Sequence, residues 1–425
     1  MKRFLSLFLL LALLTGCGAG KQSGLSAQSS QSSTLSSWGL TEDALPSASP
    51  SVLPSDAADD DSSVESSSLE APTPTPEPLP ASLAELCPSG PSVLLDGAPI
   101  PSLRLQEVTL INAADLSAAM GWFQSQGGTE SAAFTRKNGE SFVVPCVTVN
   151  GQDQGIDRYT GEGGICFTGA QTEYWLPVRD LAQELDLPFL WDEEEDTVYV
   201  STPVDRDAIP QGVEVPILMY HAVSDDMWGI NSLFVSPEDL RAQLDYLTQN
   251  GYDPIFFSDL PHLSDYDKPI LLTFDDGYDD NYTELYPILQ EYGVKATVFV
   301  ITGMLGDEHY LTEEQVQELS QSGLVDIQSH TVTHTELSLL SYDDQDDELA
   351  QSRLDLARIT GKLPYALAYP SGERDDDTLA LAPEYYSFGI DMNGGVWTIA
   401  GDYYRIDRIY ISRFLTLDEF IEKLP

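Results

Sequence analysis

The C-terminal half of the chain alternates short apolar runs with segments whose apolar residues recur at helical spacing. We predict strands at residues 270–274, 296–301, 324–328, 366–369, 387–391 and 406–411. Helices are predicted before and between them, ending at Gly251, Gly293, Gly323 and Gly361. Strands that alternate with amphipathic helices favour right-handed βαβ units and a parallel sheet. We therefore predict an α/β fold, a distorted parallel (β/α) barrel with seven or eight strands.

The first of these helices has clear boundary signals. Ser236 is a predicted N-cap, and Pro237 occupies the first helical position. The buried stripe is predicted from Leu240, Leu244 and Leu247.

A small α+β domain is predicted at residues 86–205. Short apolar runs at 92–95, 142–149 and 197–200 alternate with turn residues, and residues 176–185 are typical of a strand that leads into a helix. The run Leu176-Pro177-Val178-Arg179, followed by Leu190-Trp191-Asp192, resembles the copper amine oxidase N-terminal-like module. That resemblance brings no metal site, and it implies a spacer or wall-binding role rather than a catalytic one.

Residues 1–85 are predicted to lie outside the folded domains. Met1-Lys2-Arg3, the apolar run 4–14 and Leu14-Thr15-Gly16-Cys17 resemble a bacterial lipoprotein signal at residues 1–17, with Cys17 as the lipidated residue. An ordinary secretory signal or an uncleaved anchor is the alternative. Residues 18–85 are rich in Ser, Pro and acidic residues and indicate a disordered tether. We expect a lipid-anchored protein on the extracellular side of the bacterial cytoplasmic membrane.

The charge balance bears on possible partners. Twenty basic against 69 acidic side chains give a formal net charge of −49, which disfavours nucleic acid because phosphate binding needs basic surface. The same charge would tolerate a glycan that bears free amines. Besides Cys17 the chain has Cys87, Cys146 and Cys166, and an export route permits one disulfide, for which Cys146 and Cys166 are the expected pair.

The candidate chemistry lies at the predicted strand ends. Asp275 and Asp276 directly follow an apolar strand, where two carboxylates stay ionised only with a strong partner such as a divalent metal. His330 and His334 follow a later strand, and His221 follows the strand at 217–220. In a (β/α) barrel the strand ends share one face, where active sites are built. One carboxylate with two imidazoles is a common ligand set for a hydrolytic metal.

Two motifs, Thr273-Phe274-Asp275-Asp276-Gly277 and His330-Thr331-Val332-Thr333-His334, carry a family resemblance. With them, residues 206–425 resemble the polysaccharide deacetylase family, also called carbohydrate esterase family 4. The opening run at residues 215–221 is similar to a branch of exported poly-N-acetylglucosamine deacetylases.

The resemblance implies a role for each matching residue. Asp276, His330 and His334 would hold a divalent metal, with zinc expected and cobalt or nickel as alternatives. Asp275 would be the general base, and the backbone amide of Ser371 would hold the oxyanion. A helical turn after His330 would bring the two imidazoles to one ion.

The chain also departs from the family pattern. Ala368 stands where the family often has an arginine, Ser371 stands where it often has a tyrosine, and no histidine follows His334. Arg408 or Arg413 is a candidate for the missing arginine. His221 is a candidate general acid, with orientation of a ligand as its alternative role.

A further group of residues is expected near the sugar. The candidates for substrate binding are Tyr369, Pro370, Asp391, Trp397 and Arg413. For Trp397 and Asp391 the alternatives are a buried aromatic and a capping carboxylate.

The expected function is hydrolysis of N-acetyl groups on an extracellular polysaccharide, namely peptidoglycan, a chitin-like oligomer or poly-N-acetylglucosamine, with release of acetate. An O-acetyl esterase on the same site is one alternative, and a non-catalytic glycan-binding lipoprotein is another.

Overall fold

The computed structural model describes residues 80, 82–121, 123–125, 128–136, 139, 141–150, 156, 159–169 and 171–425. The predicted signal, the lipidated Cys17 and nearly all of the predicted tether lie outside these residues. Within them, no helix has both the length and the apolar character that a membrane span requires.

The N-terminal part of the described chain combines strands with two helices, and we call it the small domain. Its strands are β1 (Ser92–Leu95), β2 (Ala98–Ile100), β3 (Ser102–Leu105), β4 (Val108–Asn112), β5 (Phe123–Ser125), β6 (Ser131–Thr135), β7 (Ser141–Asn150), β8 (Gly164–Thr168), β9 (Thr172–Pro177), β10 (Phe189–Asp192) and β11 (Thr197–Val200), and its helices are α1 (Ala113–Met120) and α2 (Val178–Glu184). One sheet has the order β10-β11-β1-β2 and the other the order β3-β4-β9-β8-β7-β6-β5. The proposed kinship with the copper amine oxidase module stays a prediction.

The three cysteines in this domain are free, so the expected disulfide between Cys146 and Cys166 is not formed. The two residues lie on the neighbouring parallel strands β7 and β8 but are not opposite each other. Cys146 faces Gly164, whereas Cys166 faces Thr148, two residues further along the strand. This stagger separates the two thiols, and a disulfide requires closely spaced Cβ atoms.

The C-terminal part is a barrel with peripheral short strands. Its strands are β12 (Glu214–Val215), β13 (Ile217–Tyr220), β14 (Ala222–Val223), β15 (Phe234–Val235), β16 (Asp253–Pro254), β17 (Pro269–Phe274), β18 (Ala296–Val300), β19 (Val325–Ser329), β20 (Ala366–Ala368), β21 (Phe388–Gly394), β22 (Trp397–Thr398) and β23 (Ile406–Tyr410). Its helices are α3 (Pro237–Gln249), α4 (Tyr286–Tyr292), α5 (Glu313–Gln321), α6 (Tyr342–Thr360), α7 (Asp376–Tyr385) and α8 (Leu417–Glu422).

Seven parallel strands close this barrel, which confirms the predicted fold class. The order is β13-β23-β21-β20-β19-β18-β17, and β17 pairs again with β13 to complete the ring. The short β16 pairs only with β17, outside the closed ring. Closure gives each of the seven strands a neighbour on both sides, so the ring itself has no exposed edge.

The helix signals in the sequence act as predicted, with one exception. Ser236 accepts a hydrogen bond from the backbone amide of Asp239 and caps α3. The helix predicted to end at Gly293 instead begins with a π-helical turn, Asn281–Leu285, before α4. Such turns are rare in proteins overall, but many of those that occur lie at functional sites.

Helix α6 joins the barrel to the small domain. Arg358 donates to both carboxylate oxygens of Asp192, at 2.6 Å and 2.8 Å. Beside this ion pair the buried side chains of Tyr199, Ala357 and Leu363 form one apolar cluster. Two parallel charge-assisted hydrogen bonds set an orientation as well as a contact.

Candidate active site

The loops that follow four parallel strands carry the predicted residues. His221 follows β13, Asp275 and Asp276 follow β17, His330 follows β19, and Ser371 lies in the turn after β20. Because these strands are parallel, their carboxyl ends lie at the same end of the barrel.

Asp276, His330 and His334 converge, with one donor atom from each within 4.8 Å of the others. Oδ1 of Asp276 lies 3.4 Å from Nε2 of His330 and 3.5 Å from Nε2 of His334. Ligands about 2.0–2.2 Å from a tetrahedral zinc ion are about 3.3–3.6 Å from one another. These donors therefore fit a divalent ion, and their chemistry is a set that zinc takes.

The loop between the two histidines brings them together without the helical turn that would also have done so. Thr331 and His334 take left-handed backbone conformations, with φ of 64° and 59°, which a side chain disfavours. Glu348 of α6 holds the loop by accepting hydrogen bonds from the backbone amides of Val332 at 2.8 Å and Thr333 at 2.9 Å. Those amides bond across the fold to Glu348, which helps to hold the loop in its non-helical conformation.

A backbone carbonyl orients His330. Nδ1 of His330 lies 2.8 Å from the carbonyl oxygen of Ala368. A carbonyl only accepts, so Nδ1 carries a proton, and Nε2, on the side of Asp276, is the ring nitrogen left for a metal. Ala368 occupies the place where the family often has an arginine, and its contribution comes from the main chain.

The electrostatics of this cluster suit a metal. Burial would raise the pKa of Asp276, but its contact with His330 and the charge of nearby imidazoles lower that pKa below its ordinary value. Burial, together with the charge of His330, lowers the pKa of His334. Burial also works to lower the pKa of His330, but Asp276 and Asp275 outweigh it and raise that pKa. A metal ion would therefore compete with a proton at Nε2 of His330, so that binding weakens as pH falls.

Asp275 forms a buried ion pair with Arg408 and is not part of the donor cluster. Nη1 and Nη2 of Arg408 donate to Oδ1 and Oδ2 of Asp275, each at 2.7 Å. Arg408 is fully buried and Asp275 is 2% exposed. Burial would raise the pKa of Asp275, but the charge and hydrogen bonds of Arg408 lower it. Asp275 is therefore a fixed, ionised carboxylate.

Further contacts orient the guanidinium of Arg408. Its Nε donates to the carbonyl oxygen of Asp391 at 3.0 Å, and its Nη1 donates to Oγ1 of Thr273 at 3.0 Å. Of the two arginines that the sequence left open, Arg408 takes the position beside Asp275. The roles of Thr273, Glu348 and the Ala368 carbonyl had no signal in the sequence, because each depends on contacts between distant segments.

Replacing Arg408 with methionine should raise the pKa of Asp275. The desolvation of that carboxylate would no longer be opposed by Arg408, so its pKa would rise above the ordinary value. In the native protein Asp275 stays ionised down to a pH below that value. We therefore expect the acid limb of the pH profile of kcat/KM to move up by at least about one pH unit in Arg408→Met. The exposed Arg405, paired with Asp402, provides the control Arg405→Met, and an unmoved acid limb in Arg408→Met would contradict this role.

His221 lies in the same electrostatic environment as the two aspartates. It is 7% exposed, and its Nδ1 has no hydrogen-bond partner among the described residues. Burial lowers the pKa of His221, although the charges of Asp275 and Asp276 oppose this. Asn281 donates to the carbonyl oxygen of His221 at 3.1 Å, so the π-helical turn holds the segment that carries this imidazole.

The turn after β20 contains Ser371. Ser371 takes φ of 56° within the short helical turn Pro370–Gly372. The amide of Gly372 donates to the carbonyl of Tyr369 at 2.9 Å. Pro370 is buried, and the phenol of the buried Tyr369 donates to the carbonyl of Tyr404 at 3.1 Å. Ser371 itself is exposed.

Three of the candidates for sugar binding make contacts within the protein itself. Asp391 pairs with Arg374 and accepts from the amide of Met392 at 2.7 Å. Trp397 is 4% exposed within an apolar cluster, as in the alternative of a buried aromatic. Nη1 of Arg413 donates to the carbonyl oxygens of Ser224 and Phe234, each at 3.0 Å, and it does not contact Asp275. These contacts are structural, and a role in substrate binding stays a prediction.

Comparison with known proteins identifies the class to which this fold and site belong. The polysaccharide deacetylase family model matches residues 263–386. YxkH of Bacillus subtilis, a protein assigned to the polysaccharide deacetylases, is 35% identical over 205 residues, which are 47% of this chain and 72% of YxkH. The chain therefore belongs to the polysaccharide deacetylase family, a class of hydrolytic enzymes.

Two other similarities have narrower coverage. The poly-β-1,6-N-acetyl-D-glucosamine N-deacetylase of Staphylococcus aureus is 29% identical over 161 residues, which are 34% of this chain and 55% of that enzyme. The Streptococcus pyogenes deacetylase PplD, solved in complex with acetate, is 32% identical and has a TM-score of 0.48. That match covers 51% of this chain and all of the PplD chain.

Proposed function

We propose that this protein is a metal-dependent hydrolase that removes N-acetyl groups from an extracellular polysaccharide and releases acetate. The observation that carries the proposal is the convergence of Asp276, His330 and His334 on the barrel face where Asp275 is held by Arg408. A three-donor cluster leaves positions for water and substrate, and an independent ionised carboxylate is available for proton transfer.

In this proposal Asp276, His330 and His334 hold the ion, which is zinc or alternatively cobalt or nickel. The bound ion supplies polarisation of the acetyl carbonyl and a lower pKa for water. Asp275 takes the proton from the water whose oxygen bonds to the acetyl carbon, and Arg408 keeps that carboxylate in place. The backbone amide of Ser371 is the proposed donor to the oxyanion.

The leaving nitrogen must gain a proton as the C–N bond breaks, and we assign this step to His221. Its lowered pKa makes it neutral at pH 7, so it must first gain a proton, and in this proposal it receives the one that Asp275 has removed from the water. We expect His221→Gln to lower kcat by about 10²-fold with little change in KM, since general acid catalysis contributes about 10²–10⁴-fold. Steady-state kinetics on an acetylated oligosaccharide measures this, with the exposed His262→Gln as control. A kcat within twofold of the native value would leave His221 only an orienting role.

The proposed substrate is an N-acetylated envelope glycan, and the location is the outer side of the cytoplasmic membrane. The name of the staphylococcal relative supports poly-N-acetylglucosamine, with peptidoglycan and chitin-like oligomers as alternatives. The net charge of −49 is compatible with a product that carries free amines. The lipoprotein-like start and Cys17 support attachment to the membrane by a lipid.

Acetate release tests the proposal directly. Purified protein is incubated with each of the three polymers, before and after removal of metal by a chelator and after readdition of zinc. We expect acetate and free amine in equal amounts, lost with the chelator and restored by zinc. New hydroxyl groups without new amines would favour the O-acetyl esterase, and no acetate from any polymer would overturn the catalytic proposal. The missing family arginine was one reason to consider a non-catalytic protein, and the ion pair of Arg408 with Asp275 supports the catalytic proposal instead.

A further inference from the structure

A cleft lies between the small domain and the barrel, away from the strand ends that carry the candidate active site. Its volume is about 880 Å³, and its walls include Phe189, Thr202, Arg206, Arg353 and Tyr386. The volume is within the range of small-molecule sites, about 300–1,000 Å³. None of the candidate residues of the active site lines this cleft.

Arg353 of α6 is a buried cation without an acidic partner. It is 7% exposed, its Nε has no hydrogen-bond partner among the described residues, and no ion pair forms at its guanidinium. The guanidinium is effectively always charged, and an unpaired buried charge is costly. The acidic residues on the cleft wall, Asp186 and Glu384 among them, are exposed at its rim.

Most other arginines that the structure describes have a carboxylate partner, and Arg179 and Arg206, which do not, are exposed to solvent. Seven arginines of the described chain pair with a carboxylate: Arg104, Arg241, Arg358, Arg374, Arg405, Arg408 and Arg413. Arg206, which also lines the cleft, donates instead to the Tyr404 hydroxyl at 2.8 Å and the Ser387 carbonyl at 3.4 Å. In a chain with 69 acidic residues, the cleft therefore combines two arginines that lack a carboxylate partner.

We propose that this cleft is a binding site for a saccharide-sized ligand that carries one phosphate or carboxylate group, with Arg353 as the anion-binding residue. A bare inorganic anion would fill only a small part of the volume, whereas the partly exposed Phe189 and Tyr385 offer rings against which a sugar packs. The exposed carboxylates at the rim disfavour a polyanion by repulsion. Because Arg353 lies on the helix that carries Glu348, the ligand would bind to the element that holds the loop of His330 and His334. The inference does not rest on the proposed catalytic function.

Titration calorimetry on the full chain, freed of metal by a chelator, tests the site. The probes are N-acetylglucosamine 6-phosphate and N-acetylmuramic acid, with neutral N-acetylglucosamine for comparison. We expect saturable binding of one or both anionic sugars, and the pair distinguishes a phosphate from a carboxylate ligand. Arg353→Met should bind the anionic sugars at least about tenfold more weakly, because a charge-assisted hydrogen bond is lost. Arg241→Gln, which removes a partly exposed arginine, should bind them as the native protein does.

A second measurement separates this role from a structural one. Methionine fills similar space without charge, so Arg353→Met should melt at the native temperature or above it in the absence of ligand, and the anionic sugars should no longer raise its melting temperature. If that variant does not fold, Arg206→Gln is measured for the same loss. The proposal is overturned if neither anionic sugar binds the native protein saturably, if neutral N-acetylglucosamine binds equally well, or if neither variant weakens binding.

Discussion

Asp275→Asn is expected to lower kcat for acetate release by about 10²–10⁴-fold while metal binding is retained. Asparagine has nearly the same shape but cannot take a proton from water, and general base catalysis contributes about this factor. Asp275 is not among the three clustered donors, so the metal content of the variant should equal that of the native protein. The measurements are acetate release and metal content after dialysis.

The change also removes the negative partner of the fully buried Arg408, so stability must be followed. Thermal unfolding of Asp275→Asn shows whether a loss of rate reflects a loss of fold. The exposed Asp265→Asn is the matched control, because it removes a carboxylate from the surface. If folded Asp275→Asn releases acetate at the native rate, Asp275 is not the base and the proposed mechanism fails.

His330→Gln is expected to weaken metal affinity by at least about 10²-fold and to abolish acetate release at limiting metal. Two metal-binding side chains would remain, and the Ala368 carbonyl would lose the hydrogen bond that it now accepts from the ring N–H of His330. Titration of metal-free protein with zinc measures the affinity directly, without any assay of activity. Excess zinc should restore part of the rate, because Asp275 and Arg408 are untouched.

The surface residue His262 supplies the control His262→Gln, which should bind zinc as the native protein does. Measuring zinc affinity over a series of pH values also tests the direction of its pH dependence. Since Asp276 and Asp275 raise the pKa of His330, zinc affinity of the native protein should fall as pH decreases through that raised value. A His330→Gln variant that keeps one equivalent of zinc at native affinity would exclude His330 as a ligand.

Local signals in the chain were sufficient for most elements and for the face that carries the site. The cap at Ser236 and the glycines after the helices specify boundaries through the neighbouring backbone. The positions of Asp275, Asp276 and His330 directly after predicted strands were enough to place them at strand ends. Parallel strands then put them on one face without further information.

Other features depended on residues far apart in the chain. Arg408 and Arg413 are equally basic in sequence, and only the pairing of β23 with β13 and β21 brings Arg408 to Asp275. The loop from Thr331 to His334 is held by Glu348, fourteen or more residues further along the chain. Sequence periodicity carries no information on such contacts, so the sequence did not show that the two imidazoles converge without a helical turn.

The sequence by itself determined the alternation of strands and helices and the family motifs, because these depend on neighbouring residues. Tertiary structure alone decided the closure of seven strands, the arginine that holds Asp275, the absence of a Cys146–Cys166 disulfide and the cleft at Arg353. The physical reason is that the energy of a buried charge, and the distance between two thiols, depend on the surroundings that the whole chain builds.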